Sequence, residues 1–144
     1  MEDFIHHSKI NLHPTRCNLC GGKVVYTTND HIYGKKYGSG YCYLCTKCGA
    51  YVGTHIPRPR EAFGILANVE MRKAKKICHD FFDNNFWRGK NKSRIKRRNA
   101  YAEMAELLNI PVSECHFGYF DLPMLRKAYR AMLQMKKKRD RSSN

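Results

Sequence analysis

Two pairs of cysteines constrain this chain more than any other feature of its sequence. Each pair has two residues between its members, Cys17 with Cys20 and Cys45 with Cys48, and residues 21–44 separate the pairs. Two such pairs can meet around one tetrahedral ion, which is the ligand arrangement of a zinc ribbon. The chain has seven cysteines, an odd number, and in a reducing compartment metal thiolates are favoured over disulfides. The spacing therefore predicts one Zn²⁺ held by these four sulfurs.

A further cysteine, Cys42, competes for the second pair, because Cys42 and Cys45 also have C-x-x-C spacing. In a zinc knuckle, a glycine after the second cysteine lets backbone amides approach the sulfurs without a clash from a Cβ atom. A glycine follows both Cys20 and Cys48, whereas Thr46 follows the competing pair. We therefore expect Cys42 to be a strand residue beside the site. Four thiolates would close the coordination sphere, so the predicted role of the metal is structural.

The hydrophobic pattern predicts an α+β fold, with short strands before residue 56 and helices after it. Three β-branched or aromatic segments are predicted to be antiparallel strands, at residues 23–28, 40–45 and 50–55. Prolines and a glycine in residues 55–64 interrupt any regular pattern. The predicted parts are an N-terminal zinc ribbon at residues 1–56, packed on a C-terminal three-helix basic region at residues 57–135, and a flexible basic tail at residues 136–144.

Three amphipathic helices are predicted in the second part, because apolar residues recur there every three or four positions. The first covers about residues 65–82. The second begins after Ser93, which can cap it, and stops before Pro111; the third begins after a second cap, Asp121, with Pro123 in its first turn. The predicted inward-facing residues are Leu66, Val69, Ala74, Ile77, Cys78 and Phe81 in the first helix, Tyr101, Met104, Leu107 and Leu108 in the second, and Leu122, Leu125, Tyr129, Met132 and Leu133 in the third.

The chain carries a large positive charge that falls mostly in its second part. It has 27 Lys and Arg residues against 12 Asp and Glu, a formal charge of +15, of which +3 lies in residues 1–56 and +12 in residues 57–144. An excess of this size predicts a polyanionic partner, either nucleic acid (DNA or RNA) or a nucleic-acid-processing protein with an acidic surface. The predicted nucleic-acid contacts are Arg58, Arg60, Arg88, Lys90, Lys92, Arg94, Lys96, Arg97 and Arg98.

The densest basic stretch is residues 88–98, where seven of the eleven residues are Lys or Arg and none is acidic. Two interpretations stay open, contact with phosphates and a solvated charged face. The aromatic residues just before it, Phe81, Phe82, Phe86 and Trp87, are predicted to pack in the core rather than to stack on bases. If about five phosphates of duplex DNA are contacted, the log-log dependence of affinity on salt should have a slope of about −4.5.

The sequence contains neither a membrane span nor a secretory signal. No run of 18 apolar residues exists, and the segment MEDFIHHSKI has neither the basic nor the apolar region of a signal peptide. We therefore expect a cytoplasmic protein without a membrane partner.

The segment NDHIYG at residues 29–34 lies between the cysteine pairs, as the Asp-His core does in HNH nucleases. In such a nuclease His31 would be the general base beside a divalent ion. The asparagine that this chemistry needs next is missing between His31 and Cys45, so the favoured interpretation is a turn with an exposed His31. No Ser-His-Asp arrangement, phosphate loop or carboxylate pair is recognisable, and no catalytic residue is predicted.

Two Cys-His dipeptides, at residues 78–79 and 115–116, are the remaining motif that could carry chemistry. They suggest a second metal or polar site where the ribbon meets the helices. Its predicted members are His55, His79, His116 and Asp121. The favoured interpretation is more ordinary, because Cys78 lies on an apolar stripe and a histidine beside a helix is usually hydrogen-bonded at the core boundary.

Several stretches of the chain together resemble one protein family. They are the first C-x-x-C pair, CTKCGAYVGTH at residues 45–55, GILANVEMRKAKKICHDFFDNNFW at residues 64–87, SRIKRRNAYAEMAELLNIP at residues 93–111 and ECHFGYFD at residues 114–121. In this order they are similar to small phage, prophage and mobile-element proteins with a "zinc-finger-containing domain" of unknown function. The resemblance covers about residues 17–133. The matching residues are Cys17, Cys20, Cys45, Cys48, His55, Asn68, Arg72, His79, Trp87, Tyr101, His116 and Asp121.

The resemblance implies a zinc ribbon with a helical tail, in a bacterial cell that hosts a phage or mobile element. It implies no activity. The first functional hypothesis is a zinc-stabilised accessory protein that binds DNA or RNA mainly through phosphates. The alternative is a phage protein that binds and inhibits or redirects a host nucleic-acid-processing or defence protein, and an HNH-like metal-dependent nuclease is the third hypothesis.

Overall fold

The computed structural model describes residues 10–88 and 93–142 of the chain. The described residues form two compact units that divide between Arg72 and Lys73. We call residues 10–72 the sheet unit, and residues 73–88 with 93–142 the helical unit. The predicted α+β class is confirmed, since three strands precede three long helices in these ranges. No helix among the described residues is long and apolar enough to cross a membrane.

The sheet unit is built on three antiparallel strands in the order β1, β2, β3. They are β1 at Val24–Thr28, β2 at Tyr41–Cys45 and β3 at Tyr51–Gly53, each inside a range predicted from sequence. Tyr26 pairs with Tyr43 and Tyr43 with Val52, so these side chains share one face of the sheet. That face forms the core of the unit with Cys17, Val24, Cys45, Ala50, Ala62 and Leu66. A short helix that the sequence did not predict, α1 at Asp30–Tyr33, follows β1.

The segment after β3 belongs to the sheet unit, so the division lies later than the predicted boundary at residues 56–57. Ala67 exchanges two backbone hydrogen bonds with Tyr51, of 3.0 and 3.2 Å. The side-chain amide of Asn18 donates to the carbonyl of Leu66 at 3.0 Å and accepts from its N–H at 2.9 Å. These partners are far apart in sequence, so a local pattern of prolines and glycine does not reveal them.

Three long helices follow the sheet: α2 at Val69–Phe86, α3 at Arg94–Leu108 and α4 at Leu122–Ser142. Two 3-10 turns, at Val112–Glu114 and Phe117–Tyr119, connect α3 to α4. The predicted caps of α3 and α4 are present, because Ser93 and Asp121 each accept a hydrogen bond from the amide three residues further on, at 3.3 and 3.1 Å. Asn109, in the left-handed conformation with φ of 58°, ends α3 ahead of Pro111.

Two helix boundaries differ from the prediction. α2 starts four residues late, because Ala67 is still paired with β3 and Asn68 then caps the helix, accepting from the amide three residues on at 2.9 Å. α4 continues to Ser142, so the described part of the predicted flexible tail is helical. Its last turns are anchored to α3, since the Arg139 guanidinium lies 3.1 Å from the Glu103 carboxylate.

The core of the helical unit lies between α2, α3 and α4. Cys78, Phe82 and Phe86 are spaced four apart and are all buried on one side of α2. The prediction followed an overlapping apolar stripe and was wrong for Val69 and Ile77, which are 58% and 57% exposed. Leu107 and Leu133 were also predicted to face inward but are exposed. The residues predicted to face inward that are fully buried are Leu66 in the sheet core and Cys78, Met104, Leu125 and Met132 in this one.

The predicted packing of the aromatic residues at the end of α2 is confirmed. Phe82 is 0% exposed and its ring stacks on Tyr101 at 4.2 Å between centroids. Phe81 and Trp87 are partly buried against the same core. These rings stabilise the helical unit, because aromatic side chains bury a large apolar area.

Candidate metal centre

The four predicted cysteine ligands come together at one end of the sheet unit's core. The Sγ atoms of Cys20 and Cys45 are 3.4 Å apart, those of Cys17 and Cys48 are 3.7 Å apart, and all four lie within 4.8 Å of one another. Zinc–sulfur bonds of about 2.3 Å in a tetrahedron place sulfurs about 3.8 Å apart. The arrangement therefore fits Zn²⁺, with no open position for water once four thiolates are bound.

The two knuckles have the same backbone geometry. In each knuckle, the N–H of the first cysteine donates to the carbonyl five residues later, at 2.9 Å for Cys17 and 2.8 Å for Cys45. The carbonyl of that cysteine accepts from the N–H four residues later, at 2.9 Å for Cys17 and 3.1 Å for Cys45. The first cysteine of each knuckle is buried, whereas Cys20 and Cys48 are exposed. Equivalent turns thus present two sulfurs from each side of the site.

The glycine after each pair has a different role from the one predicted. Gly21 and Gly49 have φ angles of 75° and 83°, and a Cβ at either position would have no neighbour within 4 Å. These two glycines therefore serve the left-handed turn, not the approach of amides to sulfur. The close approach occurs one residue later, at Gly22, where a Cβ would lie 2.6 Å from the Cβ of Lys47 and 3.0 Å from the Sγ of Cys45.

Backbone amides point at the sulfurs and shift the pKa values of the thiols. The N–H groups of Lys47 and Cys48 donate to the Sγ of Cys45 at 3.3 and 3.4 Å. These bonds, led by the one from Cys48, lower the pKa of Cys45 to about 6. The amide of Ala50 lowers the pKa of Cys48, but partial desolvation and the adjacent thiols, Cys20 first, outweigh it and raise that pKa to about 12. Four thiolates therefore need a cation among them, which Zn²⁺ supplies.

Cys42 is a strand residue, as predicted. It is buried, and alternation along β2 places its side chain on the opposite face of the sheet from Cys45. Burial raises the pKa of the Cys42 thiol. A Cys42–Cys45 knuckle is therefore excluded by the strand itself.

The predicted basic contacts divide between the two units. In the sheet unit, Arg58 forms an ion pair with Glu61 at 2.7 Å, and the Arg60 guanidinium lies 5.3 Å from the Tyr26 ring centroid. In the helical unit, Arg88 lies 3.3 Å from the carboxylate of Asp83. The remaining described members, Arg94, Lys96, Arg97 and Arg98, are exposed on the first turns of α3. Lys90 and Lys92 lie outside the described residues.

An open cleft lies beside the start of α3. It has a volume of about 910 Å³. Its lining is mainly basic and aromatic, with Trp87, Arg88, Arg94, Arg97 and Tyr101 among its members, and it includes one carboxylate, that of Asp83. The Arg97 guanidinium carbon is 5.5 Å from the Trp87 ring centroid and 5.0 Å from that of Tyr101. The indole N–H of Trp87 donates to Asp83 at 2.6 Å. The cleft therefore joins cations to partly exposed rings.

The predicted second polar site stays a prediction. The rings of His79 and His116 contact Phe117 and Tyr119, at 4.9 and 4.6 Å between centroids, and Asp121 caps α4. Burial is the main cause that lowers the pKa of each of these imidazoles, and it does the same for His55 in the sheet unit. The four cysteines are the one group of three or more metal-ligating side chains found within residues 10–88 and 93–142.

His31, the general base of the nuclease hypothesis, is exposed in α1. Its Nδ1 lies 4.0 Å from a carboxylate oxygen of Asp30. That carboxylate accepts a hydrogen bond from the Thr28 hydroxyl at 2.8 Å, which is the main cause of its lowered pKa. Within the described residues, neither His31 nor Asp30 belongs to a group of metal ligands.

Comparison with known proteins is consistent with this metal centre. Residues 13–135 match a family described as a zinc-finger-containing domain. Searches of curated proteins and of solved structures gave no significant match. The matched range includes the four clustered cysteines and most of both units. The chain therefore belongs to the zinc-finger-containing-domain family, and its four cysteines form a Zn²⁺-binding site.

Proposed function

We propose that this protein is a zinc-stabilised nucleic-acid-binding protein whose helical unit contacts phosphates through the first turns of α3. The observation that carries the proposal is the state of Arg94, Lys96, Arg97 and Arg98. All four are exposed, and within the described residues none of them forms an ion pair. Four cations within five residues that form no ion pair with the described residues make a strongly positive surface, and the phosphate backbone is its natural partner.

The position of these cations on α3 is unfavourable unless an anion binds. Arg94 is three and four residues from Arg97 and Arg98, so like charges are neighbours on the helix surface, at a cost of about 0.2–0.5 kcal/mol for each pair. The N-terminus of a helix is also the positive end of its dipole. No acidic residue lies in the first turn of α3 to offset either effect. A phosphate against this turn would remove both penalties and accept from the backbone amides.

Two basic residues near the end of α4 differ from those at the start of α3, because each lies close to a carboxylate. Lys136 is 3.1 Å from Asp140, and Arg139 is 3.1 Å from Glu103. Their charge is partly neutralised within the helical unit. This difference supports the start of α3, with the adjacent cleft, as the proposed surface for the polyanion. The exposed cations of α4 that form no ion pair within the described residues, such as Arg126 and Arg130, are the competing surface that a control variant tests.

The test measures binding of the zinc-loaded full chain to a fluorescein-labelled DNA duplex by anisotropy, over a series of salt concentrations. The variant carries Arg94→Gln, Lys96→Gln, Arg97→Gln and Arg98→Gln. If each cation contacts one phosphate, the log-log salt slope becomes less negative by about 3.6. The control variant removes the same charge from exposed positions of α4, with Arg126→Gln, Lys127→Gln, Arg130→Gln and Lys137→Gln.

We expect a large loss of affinity in the α3 variant and a small one in the α4 variant. Equal losses would mean that only net charge matters, and the assigned surface would be wrong. Unchanged binding in the α3 variant, with the fold verified by circular dichroism, would overturn the proposal.

A further inference from the structure

A row of aromatic and basic side chains lies on the sheet unit, outside the metal centre and apart from the predicted nucleic-acid contacts. The Tyr37 and Tyr33 ring centroids are 5.2 Å apart, with 49° between their planes, and those of Tyr33 and Tyr51 are 6.2 Å apart and nearly perpendicular. The Arg72 guanidinium carbon lies 4.1 Å from the Tyr51 ring centroid. We call Tyr33, Tyr37, Tyr51 and Arg72 the tyrosine platform.

Two of these tyrosines are exposed. Tyr33 is 47% exposed and Tyr37 is 65% exposed. Tyr51 and Arg72 are half-buried, and the Arg72 guanidinium is held by a hydrogen bond to the carbonyl of Ala67 at 2.6 Å. Tyr51 and Arg72 therefore form the half-buried side of the platform, and Tyr33 and Tyr37 form its exposed side.

The loop that carries the exposed rings is held in place from within. Asn29 is 3% exposed, and its side-chain amide donates to the carbonyl of Tyr37 at 2.8 Å and accepts from the N–H of Tyr37 at 3.1 Å. Its backbone N–H donates to the carbonyl of Gly40 at 3.0 Å. Gly34, with a φ of 82°, turns the chain after α1. The backbone that carries the exposed rings is thus preorganised, which lowers the entropic cost of binding through this loop.

The charges around the platform are positive. Lys35 and Lys36 lie between the two exposed tyrosines in sequence, and both are exposed. Within the described residues neither lysine forms an ion pair. Exposed tyrosines beside lysines that form no ion pair within the described residues match a polyanion that also offers flat π-surfaces.

We propose that the tyrosine platform binds single-stranded nucleic acid, with Tyr33 and Tyr37 stacking on unpaired bases and Lys35 and Lys36 contacting phosphates. A duplex hides the faces of its bases in its own stack, so it can use the lysines but not the rings. The inference rests on the proposed function and deepens it, because it names single strands as a substrate class and places a second contact on the sheet unit.

The test compares the zinc-loaded full chain and its variants on two probes, a labelled oligothymidylate and a labelled duplex of equal length. Tyr33→Ala with Tyr37→Ala removes both rings, and the matched control, Tyr33→Phe with Tyr37→Phe, keeps them. Stacking contributions of this kind imply about tenfold or more weaker binding of the oligothymidylate by the Ala variant. Duplex binding should change less than about twofold, and the Phe variant should bind both probes like the unchanged chain.

Each outcome bears on one proposal. Equal oligothymidylate binding by the Ala variant and the unchanged chain, or equal losses in the Ala and Phe variants, would overturn the platform. If the platform is overturned but the α3 variant binds both probes more weakly than the unchanged chain, the proposed function is still supported. Stacking would also be refuted if the Ala substitutions lowered the affinity for the duplex as much as the affinity for the single strand. If the double variant loses zinc or fold, Tyr37→Ala alone, at the more exposed ring, decides the question by the same comparison.

Discussion

Replacing Gly22 by alanine tests whether contact between the two knuckles shapes the metal centre. A Cβ at Gly22 would lie 2.6 Å from the Cβ of Lys47, 3.0 Å from the Sγ of Cys45 and 3.2 Å from the Sγ of Cys20. Carbon atoms pack best at about 3.5–4.0 Å, so the new contact with Lys47 is about 1 Å too short. Both Cβ atoms are fixed to their backbones, and no side-chain rotation relieves the clash.

Relief has to come from moving the first knuckle away from the second. That movement would lengthen the distance of 3.4 Å between Cys20 and Cys45 and distort the site. Overpacking of a well-packed site costs about 1–3 kcal/mol, which corresponds to zinc binding weaker by about 5- to 150-fold. Gly21→Ala is the matched control, because its φ of 75° makes the substitution strained by about 1–2 kcal/mol while its Cβ meets nothing within 4 Å.

The assay is competition for zinc with a chromophoric chelator, read by absorbance, for each variant. Lys47→Gly removes the atom that the new Cβ would strike. It should therefore restore part of the zinc affinity to Gly22→Ala, and it should have no such effect on Gly21→Ala. The coupling energy from a double-mutant cycle should be nonzero for Gly22→Ala with Lys47→Gly. It should be near zero for Gly21→Ala with Lys47→Gly. Zinc affinity unchanged by Gly22→Ala, or additive effects in both cycles, would refute the proposed contact between knuckles.

Three further predictions concern the fold. Asn29→Ala should lower the free energy of unfolding by about 1–3 kcal/mol and speed amide exchange at Tyr37, since both side-chain hydrogen bonds are lost; unchanged exchange would contradict this. Phe82→Ala should cost about 3–5 kcal/mol in urea unfolding, and a cost below about 1 kcal/mol would show that the ring is not in the core. Partial desolvation lowers the pKa values of His79 and His116, although both residues are exposed. The unfolded chain therefore binds more protons, and stability should fall modestly as pH drops through about 6.5 toward the folded-state values. Urea unfolding followed by the single tryptophan at several pH values checks this, and His79→Gln with His116→Gln should flatten the dependence.

The metal centre was the part of the structure best predicted from sequence, because the residues that define each knuckle are close together in the chain. Two residues between cysteines fix each knuckle, and Thr46 after the competing pair already favoured the correct register. The role of Gly22 was missed because its contact, Lys47, lies on the other knuckle. Nothing in the local sequence marks Gly22 as different from Gly21.

Helix ends were predictable where a cap decides them and not where tertiary pairing does. Ser93 and Asp121 cap their helices as expected. The start of α2 was missed because Ala67 pairs with Tyr51, a contact that depends on the finished sheet. The exposure of Val69 and Ile77 was missed for a related reason, since periodicity alone does not choose between two overlapping apolar stripes on α2.

The tyrosine platform was not visible from sequence. Its members are spread over residues 33–72 and meet only after β1, α1 and β3 are in place. The one local signal in the sequence was a pair of tyrosines flanking two lysines. Asn29, which holds the loop, looks like any turn residue until its burial is known.

X-ray absorption at the zinc edge, on the full chain with its metal content measured, tests the central claim most directly. The account predicts one zinc for each chain, four sulfur neighbours at about 2.3 Å, and an unchanged spectrum for Cys42→Ser. A nitrogen or oxygen in the first coordination shell, or a chain that folds fully without metal, would contradict it.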